Sequence, residues 1–454
     1  MLPAAFSIPE KRMKRILPAI PIIGQILGQQ RRKPGTSYRL ADHCLQISCR
    51  EGTLLYHTLL GTLYLLEGSE TVRDHENELL REHFFVPVGL DEQKRARDVF
   101  RLGGRMTPQK RNVTAFTILT TTDCNARCFY CYEMGRSRVP MSDQVAQDTA
   151  AYIAKVSGGE KVKLHWFGGE PLCNRRAIEI ITQRLREQGV TFTSLLTTNG
   201  YYLDGETIAK ARRDWKLEET QITLDGTRET YNRIKAYVEK DENAFERVLS
   251  NIRSALDADI RVDIRLNMDG GNGEDLLLLS GELTKRFGAR ENLYVYAVMI
   301  KSFVGQIHSF SSEAEAADRF LALQKKLDGY GFSERRVLSR DFRGNCCMAD
   351  NDGTQLITPD GHIGRCEHFT ETELVGSIYS EERDESLIRA WKELHDPYPE
   401  CAGCPLYPGC IRLDRCEWTR FGCPESNRIV KRYSLERRVL AAYTKAISEG
   451  KDEA

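Results

Sequence analysis

Downstream of Val113, short apolar runs alternate with longer amphipathic stretches. The runs at 113–120, 162–167, 192–196, 219–224, 260–266 and 293–300 read as β-strands. Between and after them, 143–157, 175–188, 205–213, 243–257, 273–287 and 312–330 carry apolar residues at helical spacing. Repeated βα units predict an α/β fold, with a parallel sheet and its helices outside. A curved (β/α)6 partial barrel is one solution, and an open doubly wound sheet is the other. In either, sites form at the C-terminal ends of the strands.

The flanks follow other patterns. Residues 37–66 alternate apolar and polar positions around turn glycines Gly52 and Gly61, which predicts short antiparallel strands. Helical spacing follows at 71–82 and 91–101, so 35–105 reads as a small α+β module. Ahead of it, the apolar stretch 16–28 has Lys14, Arg15, Arg31 and Arg32 on its two sides and Pro18 and Pro21 inside. A signal peptide is basic on one side only, so 1–34 is expected to be a basic, mobile extension. After the barrel segment 106–332, periodicity fades over 333–425. It returns in a final helix within 426–454, where Val430, Leu435, Val439, Leu440 and Tyr443 share a face.

Composition narrows the function. The 454 residues carry 65 basic and 65 acidic side chains. That balance gives no field for nucleic acid or an anionic membrane. No run of 18 apolar residues predicts a spanning helix. The 14 cysteines are the unusual feature. In an enzyme-sized chain they cluster with short gaps, which points to metal or cluster ligands in a reducing cytoplasm rather than disulfides.

Cys124, Cys128 and Cys131 stand as C-x-x-x-C-x-x-C just after the first barrel strand. Zinc normally takes four ligands, and this loop offers three sulfurs and no histidine. Three thiolates suit a 4Fe–4S cube with one open iron. The loop resembles the signature of the radical S-adenosylmethionine (SAM) superfamily. That resemblance implies that the open iron chelates SAM, whose reductive cleavage gives a 5′-deoxyadenosyl radical. It also implies a place near the adenine for Tyr130. The turn Gly168-Gly169-Glu170-Pro171 matches the motif that binds the SAM amino group. Asn199 and Asp225 end the next two strands and suit polar SAM atoms, though both are also turn formers. Arg265 and Asn267 lie two apart on one strand face, where Arg265 suits the SAM carboxylate.

A second set reads Cys346, Cys347, Cys366, Cys401, Cys404, Cys410, Cys416 and Cys423. Its layout resembles the SPASM auxiliary-cluster domain. By that resemblance Cys347, Cys366 and Cys416 hold one 4Fe–4S cluster, and Cys401, Cys404, Cys410 and Cys423 hold another. Five residues precede Cys416 where three are usual, and a separate upstream cysteine is missing. Either Cys346 fills the vacant ligand place or that cluster keeps an open iron. A four-thiol zinc ribbon is the competing reading. Cys44, Cys49 and Cys173 fit no set and read as buried thiols.

The resemblance implies three 4Fe–4S clusters, SAM, and an electron donor such as a flavodoxin or ferredoxin. It extends to ribosomal-peptide maturases, in which a winged-helix-like N-terminal module captures the leader of a precursor peptide. It implies a crosslinking reaction, a thioether first among the products. A formylglycine-forming sulfatase maturase is the alternative, and a non-catalytic metal-binding protein is the other class. Glu367 stands where relatives carry a catalytic acid and suits a general base. His362, His368 and Asp414 are weaker candidates of that kind.

Overall fold

The computed structural model describes residues 13–107, 112–300, 310–332, 338, 347–368, 371–410 and 413–452. Its centre is a parallel run of strands laid side by side in chain order. These are β7 (Ala115–Thr121), β8 (Val162–Gly168), β9 (Phe192–Thr198), β10 (Leu217–Leu224), β11 (Arg261–Met268) and β12 (Leu293–Met299). Every neighbouring pair among them is parallel. A doubly wound sheet reverses its strand order at a switch point, and this one does not. Right-handed crossovers in unbroken order put all the helices on one side. The partial-barrel expectation therefore holds over the open sheet.

Strand alternation follows from that geometry. Along β10, Thr220, Ile222 and Leu224 are buried under the helices, while Gln221 and Thr223 face the lumen side. The outer helices are α4 (Asp143–Val156), α5 (Arg175–Glu187), α6 (Gly205–Arg213), α7 (Arg228–Lys235), α8 (Ala244–Asp257), α9 (Gly273–Phe287) and α10 (Glu313–Gly329). Side-chain caps fix several starts: Ser142 accepts from the Val145 amide, Asp204 from Thr207 and Ser312 from Glu315. Helix α7 escaped the sequence reading because it is short and mostly polar.

The N-terminal module has a sheet in the order β1-β5-β4-β3. Its strands are β1 (Lys14–Leu17), β3 (Cys44–Cys49), β4 (Gly52–His57) and β5 (Leu63–Glu67). A second ribbon pairs β2 (Tyr38–Leu40) with β6 (Phe85–Pro87). Helices α1 (Pro21–Leu27), α2 (Glu76–Arg81) and α3 (Glu92–Met106) complete it. The described part of the expected extension carries a strand and a helix, while residues 1–12 lie outside the described residues. Strand β1 pairs antiparallel with β5, and Ile23 of α1 is fully buried against Leu60 and Val99. Burying Ile23 outweighs the basic flanks, which stay at the surface.

The cysteine-rich segment also joins the main core more fully than its weak periodicity suggested. Strand β13 (Thr354–Ile357) adds parallel to β7, and β14 (His362–Gly364) and β15 (Gly376–Ser377) continue the sheet antiparallel. Ile357, Ile363, Val375, Trp391 and Leu413 share the barrel's hydrophobic core. Helix α11 (Glu385–Ala390) leads to Trp391, and α12 (Glu425–Asp452) closes the chain. Val439 and Tyr443 of α12 pack on Leu45, Leu54 and Leu63 of the N-terminal sheet. Among the described residues, no helix is long and apolar enough to cross a membrane.

Candidate active site at the C-terminal end of the barrel

The loop bearing Cys124, Cys128 and Cys131 leaves the end of β7 and is seated on the end of β8. Gly169 N–H donates to Thr121 O at 3.1 Å, and Glu170 N–H to Asp123 O at 2.8 Å. Both glycines are demanded by this approach. A Cβ on Gly168 would stand 2.2 Å from Thr121 O, and one on Gly169 2.3 Å from Asp123 O. Gly168 also has φ +122°, a region that L side chains rarely adopt. The Gly-Gly pair thus lets two backbones touch.

The residues expected to contact SAM form two connected networks. In the first, the Glu170 carboxylate is fully buried. It accepts from Thr198 Oγ1 at 2.7 Å, Asn199 N–H at 2.8 Å and Leu172 N–H at 3.1 Å. Burial pushes its pKa up, against those three hydrogen bonds. Pro171 opens the short turn that follows and is itself buried. Asn199 Nδ2 donates to Asn125 Oδ1 at 2.7 Å and lies 4.0 Å from Cys124 Sγ.

The second network lies under Cys128. The Tyr130 hydroxyl donates to Asp225 Oδ1 at 2.8 Å, and Asn267 Nδ2 reaches both groups, at 3.0 and 3.1 Å. Lys235 Nζ stands 2.9 Å from Asp225 Oδ2. Burial opposes the lysine's charge, but Asp225 together with Tyr130, Cys128 and Tyr231 outweighs it and holds the ammonium protonated. Arg265 Nε donates to Asn267 Oδ1 at 2.9 Å, so these two do share a face. Lys235 was not found from sequence, because a lysine closing a polar helix carries no sign that it will be buried.

The thiols fall into groups. Burial pushes Cys128 up to about 11 and raises Cys124 and Cys131 as well; Cys124 feels Cys128, and Cys128 feels Cys131. Cys366 is raised by burial and feels Cys347 and Cys416. Cys410, pushed up to about 11 by burial, feels Cys404, Cys423 and Cys401. Cys346 lies outside the described residues. Among the described residues no three Cys, His, Asp or Glu side chains converge on a point that one metal ion could occupy. Backbone amides two residues on donate to sulfur: Ala126 to Cys124 at 3.3 Å, Ala349 to Cys347 at 3.2 Å and His368 to Cys366 at 3.4 Å. Cys124 and Cys366 are partly buried and Cys347 is exposed; thiols with N–H donors at such sites suit a multi-iron centre, whose positive charge offsets what desolvation they have and which has several corners to fill.

The two cysteine regions meet. His368 lies against Tyr132, with ring centroids 4.1 Å apart, and its other neighbour is Trp418 at 5.9 Å. Glu367 is half-buried beside them. His362 and Asp414 are exposed elsewhere. Glu133, on the same loop, is lifted to about 7 by burial, with Arg136 opposing. Cys44 and Cys49 are partly buried, but Cys173 is exposed, contrary to expectation. It follows the Gly-Gly-Glu-Pro turn and comes within electrostatic reach of Cys124.

Comparison with known proteins agrees with this geometry. The model of the Radical SAM superfamily matches residues 118–277. The probable GTP 3′,8-cyclase of Methanocaldococcus jannaschii is 31% identical over 289 residues, which is 61% of this chain and 88% of that protein. The structure of native anSMEcpe with bound AdoMet and Cp18Cys peptide superposes with a TM-score of 0.53 at 15% identity, covering 76% of this chain and 100% of that one. SuiB of Streptococcus suis bound to S-adenosylmethionine superposes with a TM-score of 0.50 at 10% identity, covering 87% of this chain and 97% of that one. At such identities the two structures speak for the fold alone.

Proposed function

The chain belongs to the radical SAM superfamily, and from that premise we propose that this SAM-binding enzyme is a maturase of a ribosomally made precursor peptide. A 4Fe–4S cluster held by Cys124, Cys128 and Cys131 would supply the electron that cleaves SAM. The reaction proposed is a crosslink, with a thioether favoured. Cys347, Cys366 and Cys416 are proposed to hold one auxiliary 4Fe–4S cluster, and Cys401, Cys404, Cys410 and Cys423 another.

The observation that carries the reading is the junction of the second cysteine region with both other parts of the chain. On one side His368 rests on Tyr132 of the first loop. On the other, Cys401 and Tyr407 pack with Ala96 of the N-terminal module. Thr58 of that module donates to Pro405 O, next to Cys404. A substrate reaching the barrel from the N-terminal module would pass the auxiliary thiols. That arrangement suits a long, extended ligand better than a compact one. The fold likeness to a peptide-bound structure supports the same choice. In this reading Glu367 takes a proton from the substrate, and His368 holds the carboxylate near the loop. The N-terminal module binds the leader, and a flavodoxin or ferredoxin gives the electron.

The curated relative favours a second reading, in which GTP is the substrate and the product is a cyclised nucleotide. That likeness takes in 61% of the chain, so it leaves a large part of it to be accounted for. Anaerobic enzyme, reduced and given SAM, separates the two. One arm adds any small precursor peptide found encoded beside the gene, and the other adds GTP. Loss of two hydrogens from the peptide mass supports the crosslink, and a formylglycine product supports a sulfatase-type maturase. GTP-dependent formation of 5′-deoxyadenosine with an unchanged peptide overturns the peptide reading.

A further inference from the structure

Lys235 is 1% exposed and Asp225 0%, so an intact ion pair is buried directly beneath the first cysteine loop. Its side-chain bonds run to that loop and to the neighbouring strands β10 and β11. Lys235 Nζ donates to Thr223 Oγ1 at 2.6 Å and to Tyr130 OH at 3.4 Å. The backbone repeats the connection. Lys235 O accepts from Arg127 N–H at 2.8 Å, and Asn125 O from Val238 N–H at 2.8 Å. The end of α7 therefore grips the loop at residues 125, 127 and 130, between its cysteines.

Such a pair is a poor device for stability. Desolvating two charges largely cancels their attraction, and apolar substitutes of similar volume are often as stable. Its placement has a different consequence. Both charges meet the hydroxyl of Tyr130, which stands between Cys128 and Cys131, so they act on the same part of the loop with opposite signs. In a dry site neither charge is screened by water.

We propose that Lys235 and Asp225 are paired positioning residues that hold Tyr130 and the cysteine loop in place and balance the charge beneath the SAM-binding centre, thereby setting its reduction potential. The inference rests on superfamily membership and is independent of what the substrate is. A positive charge favours the reduced, more negative centre, and a negative charge favours the oxidised one. The two residues therefore pull the potential in opposite directions.

The test is a potentiometric titration of the anaerobic holoenzyme followed by electron paramagnetic resonance. The relevant signal is the one that changes when SAM is added. Lys235→Met is expected to lower its midpoint and Asp225→Asn to raise it. The double variant, which leaves no unpaired charge, should return close to wild type, and Lys235→Arg should stay there. A purely structural role would move both single variants the same way, through loss of iron. Equal shifts, or none, at wild-type iron content overturn the proposal. If Lys235→Met fails to retain iron, Asp225→Asn and the double variant decide. A rise that the second substitution cancels supports it, and an unmoved midpoint contradicts it.

Discussion

The His368 imidazole rests on the ring of Tyr132, their centroids 4.1 Å apart. One ring follows Cys131 and the other follows Cys366 by two residues, so the contact joins cysteine regions more than 200 residues apart in the chain. Glu367 stands between Cys366 and that contact. Replacing it tests whether it serves chemistry or only the turn. Glu367→Gln should lower formation of modified product about 100-fold, the usual scale for a lost general base. SAM cleavage to 5′-deoxyadenosine should continue, uncoupled. The ratio of the two products, read by chromatography and mass spectrometry, checks this, and an unchanged ratio removes Glu367 from the chemistry.

Gly169 makes a second prediction. Gly169→Ala puts a methyl group against Asp123 O and must push the cysteine loop off β8. The variant should lose about four irons per chain, one cube's worth, and with them SAM cleavage. Gly205→Ala meets no atom within 4 Å and should keep both. Iron and sulfide assays on the two proteins provide the comparison.

Acid should weaken the N-terminal module. Burial lowers His43 and His83 to about 4 and drives His57 well below its ordinary value. Between pH 6.5 and 4 the unfolded chain binds protons that the folded chain refuses. Stability is therefore full above pH 6.5 and falls as pH drops, by about 1.4 kcal/mol per pH unit for each such histidine. The urea midpoint should be lower at pH 5 than at pH 7.5. His83 has φ +63°, which asparagine tolerates, so His83→Asn should flatten the decline without backbone strain.

Replacing Cys404 by alanine separates the two cysteine regions. Cys404 lies beside Pro405, which Thr58 of the N-terminal module grips. Cys404→Ala should lower iron content and turnover while leaving some uncoupled SAM cleavage. Complete loss of cleavage together with lowered iron would place Cys404 in the first centre instead.

The barrel was legible because each strand has one face under helices and one toward the lumen. The alternation of β10 and β11 follows from that, and the Ser142, Asp204 and Ser312 caps mark where helices begin. The grouping of the auxiliary thiols was an implication of the SPASM resemblance rather than of any local pattern. What escaped depends on distant partners. Thr354–Ile357 forms a strand because Ala115–Ile118 offers it an edge, which no local pattern announces. Lys14–Leu17 is ordered because β5 pairs with it. Glu170 and Asp225, expected to face SAM, are also held by protein partners on neighbouring strands, which polarity alone does not announce. Lys235 escaped for the same reason.

The account depends on sulfur at three positions of one loop. The most direct test compares iron content and 5′-deoxyadenosine formation in anaerobic wild type and in the Cys124→Ala/Cys128→Ala/Cys131→Ala variant. The wild type should hold about twelve irons and cleave SAM when reduced, and the variant should hold about eight and form no 5′-deoxyadenosine. Zinc in place of iron, or continued cleavage by the variant, would contradict the account.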